Sequence, residues 1–119
     1  MSFSHPFAVL IGYLILQDVY ILATLLGHPR TTRDSIHRAL NIYDEIRRPA
    51  ALRVAEKSRL NGLYFTLNID GIDFDRLSGD YLWSKLQQLS RTFTRNWEWA
   101  WTTTVDGSLK EAVRMLECP

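Results

Sequence analysis

Cysteine is almost absent from this chain of 119 residues: Cys118 is the only one. An internal disulfide is therefore excluded, and so is a thiolate metal cluster within one chain. Histidine is scarce too. His5, His28 and His37 share no i/i+3 or i/i+4 spacing, which argues against a metal site built from local sequence. The six glycines are scattered and form no phosphate-cradling loop, and neither a nucleophile elbow nor a Cys/His pair is present. A large charge of one sign is also missing. Lys and Arg number 14 against 13 Asp and Glu, a net of +1, which argues against a protein built to seek polyanions.

The length fits one domain, and 46% hydrophobic residues is ordinary for a chain that buries a core. The charge is uneven along it. Residues 28–60 hold eight Arg and Lys against four acids, whereas residues 61–80 hold four Asp and one Arg. Each stretch reads as a solvated surface. Residues 7–26 form an apolar run broken only by Gln17 and Asp18, and twenty residues are enough to span a bilayer. The twelve Leu, Ile, Val and Phe there contribute about −4 to −7 kcal/mol on an insertion scale, against about +3 for Asp18. Two readings stand: a membrane anchor with the C-terminal part in the cytoplasm, following Arg30 and Arg33, or a central helix buried on all sides.

Gly27-His28-Pro29 stops that run. Thr31 or Thr32 can cap a second helix, with Asp34 in its first turn. Ile36, Ala39, Leu40, Tyr43 and Ile46 form its apolar face, leaving Arg38, Asn41, Asp44, Glu45 and Arg48 outward. Pro49 ends or kinks it and can open a third helix with Leu52, Ala55, Arg59 and Leu63 on related faces. Residues 67–80, rich in Asp and Gly, read as a loop, and Ser78 or Asp80 can cap a fourth helix. Its stripe is Leu82, Leu86, Leu89, Phe93 and Trp97. Ser108 through Glu111 has a capping-box pattern, and Leu109, Ala112, Val113 and Leu116 form the apolar face of a last helix. The expected fold is all-α, about five helices.

Trp97, Trp99 and Trp101 alternate in sequence. On a strand the three would share a face and form a stacking platform; on a helix Trp99 points away from the other two. Because the stripe from Leu82 enters them in helical register, Trp97 reads as core and Trp99 as facing the other side. A base-stacking groove would need more cations than Arg91 and Arg95, so no nucleic-acid partner is expected. Asp70, Asp73 and Asp75 lack the spacing of an EF-hand and read as a solvated acidic loop. Asp44 and Glu45 cannot converge on one bond, and His37 reads as a surface residue. Arg47, Arg48, Arg53, Lys57 and Arg59 spread around the helices. Nothing here amounts to a complete catalytic apparatus, and no catalytic, cofactor-binding or metal residue is assigned.

Three segments, "QDVYILATLLG" (17–27), "ALNIYDEIRRPAALRVAEKSRLNG" (39–62) and "NWEWAWTTTVDGSLKEAVRML" (96–116), together resemble the C-terminal part of FAD-dependent aromatic hydroxylases. The nearest group is the fungal salicylate-hydroxylase-like flavoprotein monooxygenases. The elements that carry the likeness are Gln17-Asp18 before a leucine-rich helix, then Tyr43, Arg47 and Pro49 in a Tyr-x-x-x-Arg-x-Pro arrangement, then Ser58 and Gly62. The resemblance implies NAD(P)H- and O₂-dependent hydroxylation of an aromatic substrate, an FAD domain upstream, and a cytoplasmic protein. It also implies that this all-α chain is a truncated segment of a larger α/β flavoprotein fold. Residues 1–16 then form a divergent apolar segment and 17–119 the helical C-terminal region. The family's dinucleotide fingerprint and its glycine-rich flavin-contacting segment are absent, and "PFAVLIGYLIL" stands where the latter would lead into Gln17. The expectation is therefore a chain that binds neither FAD nor NAD(P)H alone, with apolar surface for a missing FAD domain or a second copy to cover. The alternative is a small helical interaction protein anchored in a membrane by residues 7–26.

Overall fold

A computed structural model describes residues 5–118, with side chains from residue 12 onward. The chain is all-α, as expected: α1 (His5–Leu26), α2 (Ile36–Phe65), a 3-10 turn (Phe74–Arg76), α3 (Gly79–Trp97), α4 (Trp99–Thr102) and α5 (Asp106–Glu117). Among the described residues the sole β feature is an isolated bridge between Ile69 and Ile72. The described residues form five α-helices, though not the five that the sequence pattern divides. The helices foreseen on either side of Pro49 are one, a 30-residue α2 with Pro49 inside it. Proline removes one backbone donor, but Arg47, Arg48, Ala50 and Ala51 around it are strong helix formers that keep the ladder going.

The residues divide into two compact units, one ending at Ala51 and resuming at Thr104, the other Leu52–Thr103. In the first, Ile21 and Leu25 of α1, Ala39 and Ile42 of α2, and Ala112 and Leu116 of α5 form one buried cluster, with Tyr43, Ile46, Val105, Leu109 and Met115 packed against it. Full burial of each Leu or Ile contributes about 1.5–3 kcal/mol. The expected face of α5 holds. α1 is not buried on all sides, as one reading of its apolar run expected: Ile21 and Leu25 are covered, whereas Ile15, Leu16, Val19 and Tyr20 are exposed. Among the described residues no helix is long and apolar enough to cross a membrane. The face of α2 is rotated: Ile36 and Leu40 are exposed, and the inward stripe is Ala39, Ile42, Tyr43 and Ile46. Ala39, fully buried, belongs to the same cluster as Ile42, where a Leu would overfill the packed space.

Helix ends in this unit are tied by side chains. Gly27 N–H donates to the Ala23 carbonyl at 2.9 Å and Thr31 Oγ1 to the Leu25 carbonyl at 2.6 Å, closing α1 where the sequence predicts. α2 starts at Ile36, later than expected, because residues 33–35 form a turn in which the Ser35 hydroxyl accepts from Thr32 N–H at 2.9 Å. Asp34 thus lies outside the helix. α5 starts at Asp106, two residues before the expected capping box, and Glu111 is taken by Arg114 instead.

In the second unit, Phe74 and Trp97 are the buried apolar residues, and the stripe Leu82, Leu86, Leu89, Phe93 and Trp97 faces inward as foreseen. On its part of α2, Leu52, Ala55 and Arg59 are exposed and Asn61 is fully buried, contrary to the expected face. Residues 67–80 are a loop with internal order. Ile72 N–H donates to the Ile69 carbonyl at 3.1 Å across Asp70-Gly71, and Gly71 takes φ +80°, which L side chains rarely adopt. Ser78 is the N-cap of α3 by backbone geometry, without a side-chain bond.

The three tryptophans settle neither as a strand nor as one helix. α3 ends at Trp97, and the tighter bonds Glu98 N–H to Arg95 O (3.4 Å) and Trp101 N–H to Glu98 O (3.2 Å) redirect the chain into α4. Trp99 therefore does not face away from Trp97. Their rings stack, centroids 6.2 Å apart at 27°. Trp97 is core and Trp101 is exposed.

Candidate functional site

Asp18 lies on α1 three and seven residues before Ile21 and Leu25, on the inward face; Arg47 lies on α2 at i+4 from Tyr43 and i+8 from Ala39, on the same stripe. The packing that buries Ile21, Leu25, Ala39 and Ile42 thus brings the two together. Arg47 Nε donates to Asp18 Oδ1 at 2.5 Å, and Nη2 reaches Gln17 Oε1 at 3.5 Å. Arg47 is 8% exposed, so its charge lies inside the fold, where Asp18 neutralises it. Asp18 is more open, its side chain 38% exposed. Tyr43 is half-buried one turn before Arg47. Burial first, then the charge of Asp18, holds its phenol above the ordinary 10.0, with Arg47 pulling the other way.

The pieces that carry the family likeness, Gln17-Asp18 and Tyr43 with Arg47, are distant in sequence and meet here. Their chemistry is that of a clamp. The Tyr43 phenol, held above its ordinary value, stays protonated and gives no proton near neutrality. The ion pair between Asp18 and Arg47 fixes where α1 sits on this part of α2.

The remaining candidates do not assemble. Asp73 accepts from Asp75 N–H at 3.2 Å and pairs with Arg76 at 3.1 Å, so it is occupied in stabilising its own turn. Among the described residues no three His, Cys, Asp or Glu side chains stand close enough to hold a metal. Of the basic series, Arg47 serves Asp18, Arg48 pairs with Asp44, and Arg59 forks onto Glu56 with two 2.8 Å bonds. That fork holds the Glu56 carboxyl below its usual range. His37 is exposed, and the side chain of His5 lies outside the described residues.

Two arrangements have no signal in the sequence pattern. The C-terminal end of α5 is gripped by cations: Arg38 Nη2 donates to the carbonyls of Met115 (2.9 Å) and Cys118 (2.6 Å), and Arg30 Nη1 to that of Glu117 (2.5 Å). Cations at carbonyls left open by a helix C-terminus answer its negative dipole end. His28 Nδ1 accepts from Arg30 N–H at 3.2 Å, which leaves Nε2 to carry the proton toward Glu117 Oε1 at 3.4 Å. In the other unit, Asn96 Nδ2 donates to the Lys57 carbonyl (2.9 Å) and to Asn61 Oδ1 (2.7 Å), which fixes both amide orientations. Asn61 Nδ2 and Trp99 Nε1 are buried without an acceptor among the described residues.

No family model matches the chain, and no solved structure matches it. Among characterised proteins it is similar to the FAD-dependent monooxygenase str9 of Strobilurus tenacellus, 32% identical over 101 residues, 85% of this chain and 20% of that protein. It is similar as well to two salicylate hydroxylases of Pseudomonas putida, 32% and 31% identical over 99 and 97 residues, each covering 82% of this chain and 20% of the relative. The chain thus spans about one fifth of the length of the curated relatives it matches. The likeness first carried by Gln17-Asp18, Tyr43, Arg47 and the tryptophan segment therefore holds: along most of its length, this chain is similar to one segment of the FAD-dependent monooxygenases, salicylate hydroxylase among them.

Proposed function

We propose that this chain is the C-terminal helical region of an FAD-dependent monooxygenase that hydroxylates an aromatic substrate, and that it has no catalytic competence alone. Residues 17–119 correspond to that region and residues 1–16 to a divergent segment. The observation that supports this most directly is the Asp18–Arg47 clamp, which joins the two family-like elements in space within a chain similar to these enzymes over four fifths of its length. The clamp's role in this reading is to hold α1 in place beneath a flavin region.

The residues present do not fit FAD itself. A flavin nucleotide seeks unpaired backbone amides at a helix N-terminus and a close glycine backbone. Here Gln17 and Asp18 sit in the middle of α1, whose ladder runs from His5 to Leu26 and uses those amides internally. The nearby cation, Arg47, is already committed to Asp18. No step is therefore assigned to a flavin on this chain.

The test is direct. The purified chain, incubated with FAD and freed of excess, should show no flavin absorbance, and it should not oxidise NADH or NADPH in the presence of salicylate. Retained yellow chromophore, or salicylate-dependent loss of NAD(P)H absorbance, would overturn the proposed incompetence.

A further inference from the structure

α2 is anchored on either side of a stretch that is hardly packed. Before it, Arg47 is buried and paired with Asp18. After it, Asn96 Nδ2 donates to the Lys57 carbonyl at 2.9 Å and to the fully buried Asn61 at 2.7 Å. None of the nine residues between, 48–56, is buried, and seven are exposed, Leu52 at 64%. The line that joins the anchors along the helix runs Arg47, Ala50, Val54, Lys57, Asn61. Only Ala50 and Val54 on that line belong to the stretch, and both are small and half-buried. About two and a half turns therefore have little apolar burial to hold them.

The backbone is weak there too. Pro49 has no N–H to give the Glu45 carbonyl, four residues before it, so one rung of the ladder is missing at the start of the stretch. The side-chain pairs at its edges, Arg48 with Asp44 and Arg59 with Glu56, join near neighbours on the same helix and leave both partners more than half exposed. Salt and water screen such pairs. What keeps the stretch helical is intrinsic propensity, from Ala50, Ala51, Leu52, Arg53, Ala55 and Glu56. Propensity alone holds so short a segment only marginally. The boundary between the two compact units, after Ala51, lies inside the stretch. The other crossing, at Thr103 and Thr104, is exposed and outside any helix.

We propose that residues 48–56 form a hinge in α2: the stretch opens by local unfolding, with Pro49 as its weak rung, while both anchors stay closed. Opening separates neither the Asp18–Arg47 pair nor the Asn61–Asn96 pair, and no member of the buried cluster of the first unit lies in the stretch. The few residues that open absorb a change in backbone angles, as hinges do, while the helix on each side keeps its seat. The hinge rests on α2 itself and is independent of the proposed function.

The experiment is native-state hydrogen exchange on the purified 119-residue chain, read by NMR or mass spectrometry in buffer and in sub-denaturing urea. In buffer the amides of residues 51–56 should exchange at least about a hundredfold faster than those of Ile42–Ile46 and Asn61–Leu63. Urea below the unfolding transition should accelerate both anchors and leave the stretch unchanged, because local opening exposes little new surface. Pro49→Ala restores the N–H for Glu45 and should slow exchange in the stretch at least about tenfold in a chain that still folds.

Equal exchange rates from residue 42 to residue 63 would overturn the hinge, since α2 would then open only as a whole. So would a stretch that urea accelerates as steeply as the anchors, because its opening would be global unfolding. Unchanged exchange in Pro49→Ala would remove the weak rung and the proposal with it.

Discussion

The two units are built on different principles. The first buries six apolar side chains from three helices and places a deep charge, Arg47, opposite a carboxylate. The second buries Phe74 and Trp97 and sets the paired amides of Asn61 and Asn96, with two buried donors that have no acceptor among the described residues. An aliphatic cluster gains from every contact and tolerates small shifts. An amide pair gives little net stability and demands one geometry. The first unit should therefore carry most of the stability and the second most of the sensitivity to polar detail.

The comparison is broken most directly by cutting the aliphatic cluster. Leu25→Ala removes a fully buried side chain and should cost about 3 kcal/mol, read by urea denaturation. A loss below about 1 kcal/mol would mean that the cluster is not the main support. Asp18→Leu strands the buried Arg47 charge and should cost about 2–3 kcal/mol, moderated because Asp18 is partly open to water. Asp18→Leu combined with Arg47→Met should restore most of that loss. Failure of the double variant to recover would show that the pair contributes more than charge compensation. In the second unit, Asn96→Leu leaves both ends of the Asn61 amide unsatisfied and should cost about 2 kcal/mol. If it is neutral, water already satisfies Asn61.

Smaller effects sharpen the contrast. The Tyr43 phenol is held above 10.0 in the folded chain by burial and by Asp18. Its raised value means that the folded state keeps the proton more tightly than the unfolded one. Stability from this source is therefore complete below about pH 10 and lost as pH rises through the folded value. Melting curves between about pH 9 and 11 should fall more steeply for the native chain than for Tyr43→Phe. Equal slopes would show that Tyr43 is not coupled to the clamp. Smallest of all, Trp99→Phe removes an indole N–H that has no acceptor among the described residues, while keeping a ring to stack on Trp97. Its stability should change by less than about 1 kcal/mol. A large loss would reveal a partner for that N–H.

Much of the fold is legible locally. The end of α1 at Gly27, the stripe from Leu82 to Trp97 and the inward face of α5 each follow from turns of a few residues, where spacing and capping act. The errors lie where apolar residues surround a helix. On α2, Ile36 and Leu40 satisfy the helical period as well as Ile42 does, and only the seat beside Ala39 decides which side is covered. The Trp97–Trp99 stack likewise depends on a break at Glu98 that no strong local signal announces.

The sequence by itself determined the helical class, the end of α1 and the start of α3, and the family likeness carried by Gln17-Asp18 and Tyr43 with Arg47. Tertiary structure alone decided what those residues are for. Asp18 and Arg47 are 29 positions apart, Asn61 and Asn96 are 35, and Arg38 reaches Cys118 across 80. Helical periodicity constrains neighbours three and four residues away and says nothing about partners so distant. Those pairings are set by which faces pack, and so by the burial free energy of the folded chain as a whole.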